Sequence, residues 1–412
     1  YTNLDYTLDT ETRHVLVRYQ WGTQTTATVK RDTAVRYQGG IKSPILTEAE
    51  KGDTVRVLEQ MENWSQVVTG DGYIGYVPNR RLEDVQETEV AREFQEQEYS
   101  SLTRDEKITV VWHQIDVQEA NSYLSQDIEQ MTDVDVISPT WFSLASAEYV
   151  QTAHEAGLEI WGLVNNFSPD VDTTLLLSST EARRKMTQWL VDQALTLGIE
   201  GINLDFEYIM EEDGYSFVQF ARELSIACRK NGLVFSVDIP VPMDFNQHFN
   251  RQELGIVADY VIVMGYDEHY AGSEAAGSVA SLSFEENGIT GTLETVPAQK
   301  IISGVPFYTR IWYTVTNSDG STTVTSEAIG MDTVDTTLET YGVTPVWDEQ
   351  TGQYYASWTV EDGTLCEIWL EEEESLALKA SLVKEYDLGG IAAWVLGFER
   401  PTVWTVLEEN SR

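Results

Sequence analysis

The sequence predicts an α/β protein whose main body is a (β/α)8 barrel, with a small all-β unit before it. From residue 107 onward, eight apolar and β-branched runs alternate with helical or loop segments. Before residue 83, short alternating runs are separated by glycine-containing turns. Continuous apolar strands that alternate with helices indicate a parallel sheet covered on its outer face, and eight such units indicate a closed barrel.

The eight runs occupy residues 108–115, 134–142, 158–167, 201–208, 233–241, 260–266, 300–308 and 389–396. Helices between them have readable ends: Ser179 precedes a helix over 182–197 that stops at Gly198, and a helix over 215–230 stops at Asn231. The stretch 312–365 is too long for an ordinary barrel connection and contains its own alternating runs. We therefore expect a small β insertion between strands seven and eight, within a barrel domain over 107–412.

Composition narrows the functional classes. The 412 residues contain 26 Lys and Arg against 68 Asp and Glu, a formal net charge of −42. No basic surface can be assembled from that balance, so nucleic-acid binding is excluded and binding to anionic lipid is disfavoured. Cys228, Cys366 and the histidines match no metal or redox spacing, so we expect no metal and no cofactor. The sequence contains no run of 18 apolar residues, so it predicts no membrane span.

Residues 29–82 predict a small barrel of five strands, because short alternating runs are bounded by turn signals. Residues 1–28, with one alternating run at 14–19, are interpreted as the remnant of an upstream segment. Residues 83–106 are rich in Glu and Gln and are interpreted as an acidic linker that lies on the next domain. The chain begins at Tyr1 rather than Met, which suggests a processed sequence.

Within 29–82, a series of short matches resembles the bacterial SH3-like domain. The matching residues are Ala34-Val35-Arg36, Ser43-Pro44-Ile45-Leu46, Lys51-Gly52-Asp53, Asn63-Trp64 and Asp71-Gly72-Tyr73-Ile74-Gly75-Tyr76-Val77. The resemblance implies binding to a cell-wall peptide or glycan. A spacer without a ligand is the open alternative.

The fourth barrel strand carries an unusual set of polar residues. In Glu200–Tyr208, strand alternation points Asn203, Asp205 and Glu207 into the barrel. Unpaired buried carboxylates cost several kcal/mol, and few basic residues lie at the strand ends, so a purely structural role is disfavoured. Burial and mutual repulsion raise the pKa of at least one of the two acids. The outermost, Glu207, can then protonate a leaving oxygen, while Asp205 can orient a neutral group or stabilise positive charge.

The pattern Glu200-x-x-Asn203-x-Asp205-x-Glu207 resembles the D-x-x-D-x-D-x-E signature of family 18 glycoside hydrolases, the chitinase-like superfamily. Further matches are Met264-Gly265-Tyr266-Asp267, Gly304-Val305-Pro306-Phe307-Tyr308 and Gly389-Gly390-Ile391-Ala392-Ala393-Trp394. The resemblance spans about residues 107–408. Together with the SH3-like domain it points to the bacterial branch associated with cell walls and spores, so we expect a secreted, wall-associated or spore-associated protein.

This resemblance implies a retaining hydrolase of β-linked N-acetylglucosamine glycans, in which the substrate's own acetamide is the nucleophile. It implies that Glu207 is the general acid and then the general base, and that Asp205 and Tyr266 hold the 2-acetamido group. Asp267 would lie beside that group and Trp394 beneath the sugar. The further substrate-binding candidates are Asn203, Met264, Trp141, Asn165, Tyr308 and Arg310.

Two departures from the signature are Glu200 and Asn203, each in place of an Asp. An amide at 203 cannot share a proton, but it can donate a hydrogen bond to an ionised Asp205. Peptidoglycan and chitin-type glycans both remain possible substrates. The alternatives to an enzyme are a non-catalytic glycan-binding protein on the same barrel, disfavoured because both acids are kept, and a structural surface or spore protein.

Overall fold

The computed structural model describes residues 22–90 and 101–412. The chain divides into two compact units, Tyr1–Glu98 and Tyr99–Arg412. The strand expected at 14–19 lies outside the described residues.

The smaller unit is an antiparallel sheet of seven strands. They are β1 (Gly22–Val29), β2 (Thr33–Arg36), β3 (Ile45–Ala49), β4 (Thr54–Gln60), β5 (Trp64–Val68), β6 (Ile74–Pro78) and β7 (Leu82–Val90), in the order β3-β2-β6-β5-β4-β1-β7. A small core of alanines and valines, including Ala27, Val35 and Val77, is buried beneath it.

The structure corrects the expected boundaries of this unit. Strand β1 begins at Gly22, inside the expected upstream remnant, and β7 runs to Val90, inside the expected linker. The two strands pair with each other from Gly22 opposite Val90 to Val29 opposite Leu82. Sequence reasoning missed them because their polar, threonine- and glutamate-rich character hides the strand pattern.

The larger unit contains the remaining strands and all ten α-helices of the described residues. In chain order the strands are β8 (Ile108–His113), β9 (Val136–Pro139), β10 (Glu159–Asn165), β11 (Gly201–Asp205), β12 (Val234–Pro240), β13 (Tyr260–Met264), β14 (Ile301–Pro306), β15 (Thr309–Thr316), β16 (Thr322–Ile329), β17 (Val346–Asp348), β18 (Gln353–Thr359), β19 (Leu365–Leu370) and β20 (Gly390–Trp394). The helices are α1 (Leu124–Asp127), α2 (Ala147–Glu155), α3 (Thr173–Ser178), α4 (Thr180–Leu197), α5 (Gly214–Lys230), α6 (Arg251–Val257), α7 (Leu282–Leu293), α8 (Met331–Tyr341), α9 (Glu373–Glu385) and α10 (Thr402–Ser411).

Strands β8 to β14 and β20 close into a parallel barrel, with β20 pairing β14 on one side and β8 on the other. The predicted (β/α)8 barrel is therefore confirmed, and each of its strands lies within one of the eight apolar runs. On β11 and just beyond it, Ile202, Leu204 and Phe206 pack in the outer core with the helices. Their burial there leaves the alternate residues for the barrel interior.

The predicted helix ends are also confirmed. The side chain of Ser179 caps α4 by accepting a hydrogen bond from the N–H of Ala182. Gly198 ends that helix with φ of 73°, a left-handed conformation that glycine adopts without steric cost. Helix α5 ends at Lys230, with Asn231 as its C-cap.

The insertion between β14 and β20 contains the expected small sheet and, in addition, a helix. Its sheet has the order β16-β15-β19-β18-β17, and α8 packs on it through Val334 and Leu338. The insertion spans Thr309–Leu370 rather than 312–365. We call it the inserted subdomain. None of the helices in the described ranges is long and apolar enough to cross a membrane.

Candidate active site

A cavity of about 140 Å³ lies at the carboxyl ends of the barrel strands. This is the end of a (β/α)8 barrel at which ligands bind. The lining residues are Trp112, Phe167, Asp205, Glu207, Asp238, Met264, Tyr266, Asp267, Tyr308 and Trp394. Seven of them are candidates that sequence reasoning singled out, so the structure brings most of the predicted residues together.

Glu207 lies just beyond the end of β11, where its backbone N–H donates to Oδ1 of Asn166 at 3.1 Å. The residue remains partly exposed at the mouth of the cavity. Burial of its carboxyl group, and secondarily the negative charge of Asp267, raises the pKa of Glu207 to about 7. A carboxyl group with this pKa is partly protonated at neutral pH, so it can both give and take a proton.

Asp205 lies deeper, and only 5% of the residue is exposed. Its Oδ1 atom is buried and has no hydrogen-bond partner. Burial, followed by the charges of Asp238 and Glu207, raises the pKa of Asp205 well above its usual range. Buried polar atoms are nearly always paired, so this oxygen is an acceptor available to a ligand N–H group.

Asn203 does not line the cavity, contrary to expectation, because it is fully buried beneath it. Its Nδ2 donates to Oδ1 of Asp238 at 2.7 Å and to Oγ of Ser236 at 3.0 Å. Its Oδ1 accepts from Nε1 of Trp112 and from Oγ of Ser138, both at 3.0 Å. The amide thus fixes Asp238 on the neighbouring strand, and its N–H groups are used there rather than on Asp205.

Asp267 and Tyr308 form a second polar group in the cavity wall. The hydroxyl of Tyr308 donates to Oδ1 of Asp267 at 2.5 Å. Asp267 follows β13 with φ of 59°, a left-handed conformation that Asp tolerates better than most residues. Burial and the nearby carboxylates raise the pKa of Tyr266 well above its usual range, so its phenol stays a hydrogen-bond donor.

Aromatic rings form the apolar part of the wall. Trp394 ends β20 and meets the ring of Trp112 at a centroid distance of 6.0 Å, and Tyr266 meets the same ring at 6.3 Å. Flat apolar surface beside several carboxyl groups suits a ring that has both an apolar face and polar edges.

A larger cleft of about 590 Å³ adjoins this cavity and shares Glu207, Met264, Tyr266 and Asp267 with it. Phe245 and Tyr270, both exposed, are among its other lining residues. The carboxyl group of Glu207 therefore lies between the small cavity and an open cleft with room for a further part of a ligand.

Besides Asn203, three predicted residues lie outside the cavity lining. Trp141 is 2% exposed and packs in the core, with its Nε1 donating to Oδ1 of Asn121 at 2.7 Å. Asn165 accepts a hydrogen bond from the N–H of Phe167 at the end of β10, as a strand-end cap does. Arg310 lies on β15 and donates to Oγ of Ser326.

Sequence reasoning missed three lining residues, Trp112, Phe167 and Asp238. Asp238 is the only acid in strand β12, whose other residues are apolar except for Ser236. The alternation argument that was applied to β11 could have found it. Among the described residues, no group of three or more His, Cys, Asp or Glu side chains could hold a metal ion.

Both units are similar to known protein families. The family model "Glycosyl hydrolases family 18" matches residues 161–399, and "Bacterial SH3 domain" matches residues 32–83. An uncharacterized glycosylase, YvbX, of Bacillus subtilis (strain 168) is 25% identical over 280 residues, which cover 65% of this chain and 79% of the relative. The cortical fragment-lytic enzyme of the same organism is 25% identical over 257 residues, which cover 61% of this chain but only 59% of that enzyme.

Solved structures share the barrel. A chitinase from Chromobacterium violaceum ATCC 12472 superposes with a TM-score of 0.65 at 22% identity, covering 74% of this chain and 99% of that one. The Bacillus cereus spore cortex-lytic enzyme SleL superposes with a TM-score of 0.64 at 19% identity, covering 74% of each chain. The family match extends over more than half of the sequence and includes Asp205 and Glu207, so the chain belongs to glycosyl hydrolases family 18.

Proposed function

We propose that the protein hydrolyses β-linked N-acetylglucosamine glycans with retention of anomeric configuration, by substrate-assisted catalysis. The observation that carries the proposal is the pairing of Glu207, whose pKa is raised to about 7, with Asp205, whose buried Oδ1 lacks a partner. The first can exchange a proton with the glycosidic oxygen. The second can accept the N–H of a substrate amide.

In the first step, protonated Glu207 gives its proton to the glycosidic oxygen while the substrate's acetamide oxygen attacks the anomeric carbon. The bond from that carbon to the leaving oxygen breaks, and a cyclic oxazolinium forms. Asp205 accepts the acetamide N–H and stabilises the positive charge that develops, while Tyr266 donates to the acetamide oxygen and orients it. In this proposal Asp267 lies beside the acetamide.

In the second step, ionised Glu207 takes a proton from water, and the water oxygen attacks the anomeric carbon from the face that the leaving group vacated. The acetamide is released, and two inversions give net retention. Family 18 is an exception to the two-carboxylate rule of retaining glycosidases, since the substrate supplies the nucleophile. Trp394 would form the apolar floor beneath the reacting sugar.

The relatives support the choice of substrate class. Their names include cortical fragment-lytic enzymes of Bacillus and chitinases, and one solved family 18 chitinase is in complex with (GlcNAc)4. We accordingly propose peptidoglycan or chitin-type glycans as substrates, with the bacterial SH3 domain binding wall peptide or glycan. The corresponding location is the cell wall, the spore or the exterior of a bacterium.

The test compares Glu207→Gln with Glu211→Gln, a matched change at an acidic residue that does not line the cavity. Both are incubated with N-acetylglucosamine oligomers and with peptidoglycan, and products are identified by mass spectrometry. Loss of the acid should lower turnover about 10²–10⁴-fold or more. Binding of (GlcNAc)4, measured by calorimetry, should persist.

Proton NMR of the first product formed gives the anomeric configuration. Near-normal turnover by Glu207→Gln, or an inverted first product, would contradict the proposed mechanism.

A further inference from the structure

The inserted subdomain is joined to the segment that carries Asp267. We call this segment the 265–281 loop, since it lies between the end of β13 and the start of α7. Oγ of Ser278 donates to Oε1 of Gln353 on β18. The imidazole of His269 meets the indole of Trp312 on β15 edge-on, with ring centroids 6.4 Å apart. The loop therefore has both polar and aromatic contacts to the inserted subdomain.

Gln353 connects this contact to a fully buried ion pair. Its Nε2 donates to Oε1 of Glu371 at 2.6 Å, and the ammonium of Lys379 pairs with the same oxygen. The side chains of Glu371 and Lys379 are both 0% exposed. Replacing a buried ion pair by apolar residues of similar volume often costs no stability. A contribution to stability therefore does not explain why Glu371 and Lys379 are charged, whereas a role in positioning would.

The backbone of Glu371 makes a second contact, to the residue that follows Tyr308 in the chain. Its backbone N–H donates to Oγ1 of Thr309 at 2.9 Å. Thr309 follows Tyr308, whose hydroxyl is bonded to Asp267. Glu371, the residue that follows the inserted subdomain, is thus linked through intermediate residues to both segments that form the Tyr308–Asp267 hydrogen bond.

We propose that Glu371 is a positioning residue for the active site, which holds the Asp267 loop through Gln353 and Ser278 and the Tyr308 segment through Thr309. The inference rests on the proposed function, because Asp267 matters through its effect on Glu207. The negative charge of Asp267 is one cause of the raised pKa of Glu207. A displaced Asp267 would therefore change the pH range in which Glu207 carries its proton.

Several titratable groups face the two acids that this inference involves. Those acting on Glu371 or acted on by it are Lys379, Glu285, Glu372 and Tyr308. Those around Glu207 are Asp205, Asp238, Asp267 and Tyr266. The variants below leave all of these groups in place.

The experiment breaks the link at its loop end with Ser278→Ala. The matched control is Ser225→Ala, which removes a buried hydroxyl that donates to the carbonyl oxygen of Val257 on the outer side of the barrel. On N-acetylglucosamine oligomers, Ser278→Ala should lower kcat/KM by about 2- to 30-fold, the range for contacts that act on a site through intermediates. Its upper pH limb should move to lower pH, while the control keeps the profile of the unmodified protein.

Gln353→Met breaks the same link from the other side. If the two residues act through one contact, the double variant Ser278→Ala/Gln353→Met should be no worse than the more impaired single variant. Additive losses, or a Ser278→Ala profile that matches the control, would overturn the inference.

Hydrogen–deuterium exchange provides a readout independent of activity. Backbone amides of the 265–281 loop should exchange faster in Ser278→Ala than in Ser225→Ala, and equal exchange would overturn the inference. A protein that cleaves none of the glycans would refute the proposed function, while the exchange comparison would still decide whether the link holds the loop.

Discussion

Replacing Lys379 with Met should destabilise the protein by an amount that depends strongly on pH. The variant leaves the fully buried Glu371 carboxylate without its ion-pair partner and removes the positive charge that lowers the pKa of Glu285. Breaking a buried ion pair from one side costs about 3–5 kcal/mol when the remaining group stays charged. We expect a loss of this size at pH 8, where an exposed acid would be fully ionised.

At lower pH the unpaired carboxyl groups can escape this cost by binding protons. Burial already raises the pKa of Glu285 to about 7, and the loss of Lys379 raises it further. An acid whose pKa is raised on folding favours the folded state below that pKa and loses this advantage as pH rises. At about 1.4 kcal/mol per pH unit, one carboxyl group that stays protonated from pH 5 to pH 8 accounts for about 4 kcal/mol.

The assay is urea denaturation at pH 5 and pH 8, followed by tryptophan fluorescence. Lys185→Met is the matched control, because its partner Glu181 is exposed and such surface pairs contribute little to stability. The double variant Lys379→Met/Glu371→Leu should recover most of the loss, since no buried charge remains. A loss that is equal at both pH values, or below about 1 kcal/mol at pH 8, would refute the reasoning.

Three further predictions concern the cavity and the residues beneath it. Asp267→Asn should move the upper pH limb of kcat/KM to lower pH by about one unit or less, because a charge that raises the pKa of Glu207 is lost; an unchanged limb would exclude this coupling. Asn203→Leu should lower the free energy of unfolding by about 3 kcal/mol or more, since the buried partners of the amide lose their hydrogen bonds; calorimetry checks this, and a neutral effect would contradict it. Trp141→Phe should cost about 1–3 kcal/mol of stability, because the hydrogen bond to Asn121 is lost, and should leave KM unchanged. A raised KM would instead show that Trp141 contributes to substrate binding.

Local periodicity placed two of the cavity residues. Asp205 and Glu207 occupy inward positions on and just beyond an apolar strand, and both line the cavity. Tyr266 and Trp394 also line it, but they were named from the resemblance to family 18 motifs. For the two acids, the alternation of side chains along one strand is sufficient to choose the face.

The errors have a different origin. Trp141 follows a strand end, as cavity residues do, but its indole turns into the core and pairs with Asn121. Asn203 was named as a substrate-binding candidate because it alternates with Asp205 along β11, yet it lies beneath the cavity and donates to Asp238 on β12. Helix α8 was missed because the strands on either side of it dominate the pattern of the insertion.

Alternating apolar runs, capping residues and the acids on β11 determined the barrel, the helix ends and the candidate proton donor without any coordinates. Only the tertiary structure decided that Asp238 lies against Asn203, that Tyr308 binds Asp267, and that Glu371 is bonded to both Gln353 and Thr309. Periodicity orients a side chain relative to its own strand. Distances between strands, and between an insertion and a loop, depend on how the barrel closes and on which buried polar groups find partners there.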